Sequence, residues 1–266
     1  MKKILVPTDF SACAENALEY AIAMANAFAA DVKLLNTILI PTTAGSFRSI
    51  RHYVEDDSEK GMQKLMNKYQ GQLQGGASLT YEILEGGASE LIAKVAQQYD
   101  LVIMGTQGAS GFLETFIGST ANAVIQSSET PVLVIPNEAK FKAPQRMVFA
   151  VDTQEIATLN SLKTPFSICR QFNTHLYVFH LEEGIYDPGI DPLASEVFDT
   201  VDWSFNYEIS SQSIKDSIDN YVEEKQADML CMIRRNRGFW GNLFHVSTTR
   251  REAFESKIPL LIIHEN

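Results

Sequence analysis

Gly105-Thr106-Gln107-Gly108-Ala109-Ser110-Gly111-Phe112-Leu113-Glu114-Thr115-Phe116-Ile117-Gly118-Ser119-Thr120 is the stretch around which the chain organises. Before it runs Leu101-Val102-Ile103-Met104, a continuous apolar segment of the kind that forms a parallel strand buried on both faces. After it, Ala121, Val124 and Ile125 recur at helical spacing. The chain therefore leaves a strand through a glycine-rich loop and enters a helix whose first turn is Ser119-Thr120. Unpaired amides and the positive end of the helix dipole make such a start attractive to a phosphate. Glycines at 105, 108 and 118 allow the backbone to approach a ligand without a Cβ in the way. A plain connection, with glycines for turn geometry and a serine N-cap, has the same local pattern.

Working outward, the N-terminal half alternates between the two periodicities. Apolar strands are expected at 3–7, 31–35, 79–84, 101–104 and 132–135. Between them, Leu18, Ala21, Ile22, Ala25 and Phe28 mark one helix, Met62, Leu65, Met66, Tyr69 and Leu73 a second, and Leu91, Ile92 and Val95 a third. Alternation of this kind specifies an α/β domain with a parallel sheet and helices on both faces. The segment from Pro41 to the second helix, with Arg48, Arg51 and His52, reads as a solvated surface connection.

Asn137 to Gln145, with two lysines and Pro144, reads as a linker, and domains are expected at 1–138 and 146–266, because the pattern then repeats. Met147-Val148-Phe149-Ala150-Val151-Asp152 answers the first strand, with Asp152 at the place of Asp9. Strands at 175–180, 205–209, 229–233 and 258–263 answer the rest, and an acidic, proline-bearing insert at 182–202 replaces the second helix region. Aligning Asp100 with Asp228 and Pro131 with Pro259 needs no gap. Ile233 then stands for Gly105, Asn236 for Gly108 and Val246 for Gly118, while Ser247 keeps the place of Ser119. The second half keeps the strand pattern and loses the glycine loop.

Composition narrows the partners. Apolar and charged fractions of 45% and 21% are those of a globular protein. No run approaches membrane-spanning length and the start lacks a signal peptide's features, so no membrane association and a cytoplasmic location are expected. A net charge of -11 argues against nucleic acid, whose phosphates require a basic face. Cys13, Cys169 and Cys231 show no metal-ligand spacing and read as reduced thiols. Asp187, Asp191, Asp199 and Asp202 likewise lack the spacing of a metal site.

The spacing G-x2-G-x9-G-S in the loop closely resembles the ATP-binding motif of the universal stress protein family. Lys2-Lys3-Ile4-Leu5-Val6-Pro7-Thr8-Asp9-Phe10-Ser11 resembles that family's opening strand and turn, and Thr130-Pro131-Val132-Leu133-Val134-Ile135-Pro136 its closing one. The resemblance implies two tandem Rossmann-like domains of the adenine nucleotide alpha hydrolase kind, each a five-stranded parallel sheet of order 3-2-1-4-5. It implies adenine against Pro7 and Thr8 and at the backbone of Thr37, and Asp9 near the nucleotide. Met104 and Gly105 would follow the ribose side, and Gln107, Gly108, Gly118, Ser119 and Thr120 the phosphates. Asn36 stands where the family usually has histidine.

Asp9 has two readings, a ligand contact or a helix cap. The loop lacks the lysine of a GxxxxGK[ST] P-loop, and no basic residue lies between Gly105 and Thr120. A triphosphate would therefore need Mg2+, or Arg48, Arg51 or Lys60 folding in. No general base or arginine finger accompanies the loop, so hydrolysis would be slow at most. Arg234-Arg235-Asn236-Arg237 could plug the second crevice by pairing with Asp152. The expected protein is a nucleotide-binding stress-response regulator holding ATP or another adenine nucleotide, with a protein partner the sequence does not identify. A nucleotide-independent interaction module of the same fold is the alternative. In this family the closing strands pair across a two-fold axis. Strands 132–135 and 260–263 are accordingly expected to pair within one chain, with homodimers as a further step.

Overall fold

In the computed structural model, the described residues are 1–40, 47–106, 117–151, 161–182, 198, 200–209, 214–234 and 257–264. They belong to two compact units, 1–141 and 142–266. In the first, β1 (Lys3–Pro7), β2 (Asp31–Ile38), β3 (Leu79–Glu85), β4 (Leu101–Gly105) and β5 (Val132–Ile135) form a parallel sheet. β1 lies between β2 and β4, β3 lies outside β2 and β5 outside β4, giving the order 3-2-1-4-5. Ile4, Leu5, Val6, Val102 and Ile103 are fully buried, as central strands covered on both faces require.

The helices are α1 (Ala12–Phe28), α2 (Phe47–Tyr69), α3 (Ala88–Ala96) and α4 (Ser119–Ser127). α2 corrects the reading of the second connection as a surface loop. Arg51 lies on this helix, and its guanidinium donates to both carboxylate oxygens of Glu85, at 3.0 and 2.9 Å, and to Glu55 at 3.3 Å. Weak apolar periodicity in its first turns hid the helix. It ends in a single 3-10 turn, Gln70–Gln72, before Gly75 and Gly76, both at positive φ (67° and 81°).

The second unit repeats the first. β6 (Arg146–Val151), β7 (His175–Glu182), β8 (Trp203–Ile209), β9 (Met229–Arg234) and β10 (Leu260–His264) are parallel in the same relative order. α5 (Lys163–Phe172) and α6 (Ile214–Lys225) are its described helices. Cys169 and Cys231 are buried here, and desolvation pushes the Cys169 thiol up to about 12.

One aspartate ties each repeat together. Asp100 accepts from the backbone amides of Lys2 and Lys3, and Asp228 from those of Gln145 and Arg146 at 2.9 and 3.1 Å. Burial pushes the Asp228 carboxyl up, but the Lys142 ammonium at 2.9 Å and the two amides outweigh it and leave the pKa below the ordinary value. Stability from a depressed carboxyl is present above its unfolded pKa and lost as pH falls through the folded one. Asp228→Ala is expected to destabilise the protein by about 2 kcal/mol at neutral pH, the cost of stranding hydrogen bonds to a charged group. In urea unfolding the gap from wild type should narrow in acid.

The segment read as a linker is held at both ends. The Asn16 side chain donates to the carbonyls of Pro136 and Ala139, and Phe141 packs edge-on against Tyr20 with centroids 5.0 Å apart. Lys142 and Gln145 meet Asp228.

Candidate functional site

Where β1 and β4 separate, their carboxyl ends open into a cleft, the place where doubly wound sheets hold ligands. Of the eleven residues singled out in the sequence, nine line it: Pro7, Thr8 and Asp9 on one wall, Thr37 beside them, Met104 and Gly105 opposite, and Gly118, Ser119 and Thr120 at one end. Gln107 and Gly108 lie outside the described residues. The chain leaves toward them at Thr106 and comes back at Gly118, whose amide donates to the Thr106 carbonyl.

That end is a helix start with no side-chain cap. The N-cap of α4 is Gly118 and not a serine, with φ −61° and ψ 161°. The first intrahelical bond runs from the Asn122 amide to the Gly118 carbonyl. The amides of Ser119, Thr120 and Ala121 precede it and lack intrahelical acceptors. Ser119 and Thr120 are exposed, and both line the cleft.

The β1 wall is a chain of short hydrogen bonds. The Thr8 amide donates to the Leu35 carbonyl at 2.9 Å, and the Phe10 amide to the Thr8 hydroxyl at 3.1 Å. Asp9 Oδ1 accepts from the Ser11 amide at 3.0 Å, and Ser11 Oγ from the Ala14 amide at 3.2 Å. The N-cap of α1 is therefore Ser11. Asp9 caps the turn ahead of the helix while remaining exposed on the cleft wall.

Gly105 is explained differently from the sequence reading. A Cβ on it would lie 2.6 Å from Cys13 Sγ and 3.0 Å from the Cys13 carbonyl oxygen. The glycine is thus required by the close approach of the first turn of α1 to the end of β4. Cys13 itself is buried, with Sγ 3.9 Å from the Thr106 hydroxyl.

The structure adds cleft residues that the sequence did not single out. Leu35, Ile92, Ala14 and Ala88 supply apolar surface, and Thr106 and Ala121 complete the glycine-loop end. The Asp9 carboxylate is the one charged side chain among the described lining residues. Arg51 is not in the lining. The Lys60 side chain is exposed on α2, and that of Arg48 lies outside the described part.

In the second unit, β9 pairs with β10 as β4 does with β5, so that Ile233 faces Ile263 where Gly105 faces Ile135. Ile233 is 1% exposed. The helix that follows β6 is described from Lys163 onward. Phe28 and Phe172 each end their helix three residues before the next strand, so Lys163, the first residue of α5, matches Glu19 and not Ala12. Asp152, Asn236, Val246 and Ser247 lie outside the described residues, as do Arg235, Arg237 and the insert's Asp187, Asp191 and Asp199. Asp202 is described, and its carboxylate meets His175 Nδ1 at 2.7 Å.

Comparison with known proteins places the first unit. A family model described as the universal stress protein family matches residues 1–136. Universal stress protein MJ0531 of Methanocaldococcus jannaschii is 29% identical over 146 residues, 52% of this chain and 84% of that one. Universal stress protein MJ0577 of the same organism is 32% identical over 152 residues, 50% of this chain and 94% of that one. A crystal structure of a universal stress protein from Archaeoglobus fulgidus is similar over both units, with a TM-score of 0.75. It covers 99% of this chain and 96% of its own at 18% identity, a likeness of fold. Among the described residues no helix is long and apolar enough to cross a membrane.

Proposed function

Since the chain belongs to the universal stress protein family, we propose that its first unit binds an adenine nucleotide, ATP above all, and that the protein acts as a nucleotide-responsive regulator. The observation that carries this reading is the convergence on one cleft of the uncapped start of α4 with Pro7, Thr8, Thr37 and Met104. The apolar part, with Leu35 and Ile92, suits a flat base, and the amides of Ser119 and Thr120 suit a phosphate. The charge balance favours Mg2+ accompanying ATP. The only described charge in the lining is Asp9, and no lysine, arginine or histidine occurs between Lys94 and Lys140. A divalent ion would offset the repulsion between Asp9 and a polyphosphate. Hydrolysis is slow at most, because the described cleft presents no histidine, lysine or arginine to activate water or stabilise a leaving group.

The test is direct. Protein purified without added nucleotide is denatured, and the supernatant is analysed by mass spectrometry. The expected result is an adenine nucleotide in amounts comparable to the protein, or calorimetric binding of Mg-ATP if it was lost during purification. Neither retained nucleotide nor heat of binding would overturn the reading in favour of an interaction module that uses no nucleotide.

A further inference from the structure

No described residue of α2 lines the cleft, yet the helix reaches the cleft wall by two separate routes. The first is a buried hydrogen-bond relay. Ser58 Oγ donates to Asn36 Oδ1 at 2.5 Å, and Asn36 Nδ2 donates to the Thr8 carbonyl at 2.7 Å. Ser58 and Asn36 are 4% and 6% exposed, so water does not substitute readily for either partner. Removing one would strand the other in a dry site.

The second route is steric. Phe10 is a non-glycine residue at φ 64°, a conformation that L-residues adopt at a cost and keep only when their surroundings enforce it. Its ring is seated on Gly61. A Cβ there would lie 2.7 Å from Cε1 and Cζ and 2.9 Å from Cδ1 of that ring. Gly61 sits inside a 23-residue helix, where glycine costs about 1 kcal/mol relative to alanine. The ring accounts for the glycine. Ser58 and Gly61 are three residues apart and so share one face of the helix. They reach the two sides of a single turn, Ser58 at Thr8 through Asn36 and Gly61 at Phe10 directly.

We propose that Ser58 and Gly61 are positioning residues, through which α2 sets the geometry of the Thr8–Asp9 wall and so the affinity of the cleft. This rests on the nucleotide-binding reading above, and deepens it. The relay fixes the direction of the Thr8 carbonyl and hence of the peptide that leads into Asp9. The ring of Phe10 fixes the next peptide, whose amide bonds the Thr8 hydroxyl. A shift of α2 along this face therefore moves Thr8 and Asp9 through Asn36 and Phe10. Small displacements in a supporting layer are enough to loosen a binding site.

The experiment uses the full chain and two readouts. Amide resonances of Asp9, Phe10 and Ser11 in ligand-free protein report the turn, and calorimetry with Mg-ATP reports the site. Gly61→Ala favours the helix but intrudes on the ring. It should shift those resonances and weaken Mg-ATP by about tenfold, as a displaced supporting layer does. Phe10→Ala removes the ring that fixes the turn and should weaken Mg-ATP to a similar extent. The double variant should lose no more than about threefold beyond either single one, because all three break the same contact. That non-additivity separates positioning through one contact from a general loss of stability, because independent packing losses would add. Ser58→Ala tests the relay independently and should shift the same three resonances. Unmoved resonances and unchanged affinity in folded Gly61→Ala and Ser58→Ala would overturn the proposal. Absence of Mg-ATP binding to wild type would overturn the nucleotide reading instead, while the resonances still decide whether α2 governs the turn.

Discussion

Gly118→Asp is expected to abolish nucleotide binding in a chain that still folds. Gly118 has φ −61° and ψ 161°, ordinary extended backbone that any L-residue adopts. Aspartate is a good N-cap, better than glycine by a few tenths of a kcal/mol. Its carboxylate would accept from the amides of the first turn of α4, so the helix should be held at least as firmly as before. The same carboxylate removes those donors from a ligand and places a negative charge where phosphate would lie. Two like charges about 4 Å apart repel by about 4 kcal/mol near a protein surface. Since about 1.4 kcal/mol corresponds to a factor of ten, affinity should fall by more than 100-fold. Calorimetry with Mg-ATP, beside circular dichroism and thermal melting, checks both halves. Unchanged affinity in the folded variant would remove the phosphate site from this helix.

One nucleotide per chain, held by the first unit, is the second result expected. Ile233 occupies the strand position of Gly105 and is fully packed, and Val151, the match of Thr8 by strand register, is 2% exposed. The second unit thus has a buried apolar side chain at the place of the Thr8 hydroxyl, and its packed Ile233 stands where the first unit sets Gly105 against Cys13. Forcing a ligand against a packed core costs roughly 1–3 kcal/mol or more. An exposed ion pair between an arginine and a phosphate would offset only about 0–1 kcal/mol of this. Arg234 itself is half-buried, and desolvation lowers its pKa, so part of its hydration is already lost. Titration of wild type should give a stoichiometry near one. A value near two, or half the binding heat persisting in Gly118→Asp, would show that the second unit also holds nucleotide.

What the sequence by itself determined here is the set of local patterns. Continuous apolar runs placed the inner strands of each repeat, because a strand covered on both faces has no polar side to display. β3 and β8, at one end of the order in each unit, are mixed segments. Helical spacing placed α1, α3 and α4, and the glycine loop lay between a strand and a helix whichever way its ends were assigned. The same alternation, repeated with Ile233 at the place of Gly105, showed which half kept the glycine-rich loop. Nine residues named from the motif line one cleft because strand ends in a parallel sheet meet at a site that topology alone defines.

Tertiary structure decided the reasons behind individual residues. Gly105 must be glycine because Cys13, far back in the chain, packs against it. Arg51 is committed to Glu85 and absent from the described cleft lining. Asp9 supports a turn while Ser11 caps the helix, a choice that needs the path of the backbone between them. α2 was unreadable in its first turns, and its hold on Phe10 and Thr8 invisible throughout. Periodicity reports which face of an element is buried. It carries no record of which distant residue meets that face, and contacts such as Ser58 with Asn36 and Gly61 with Phe10 exist only once the sheet has brought their elements together.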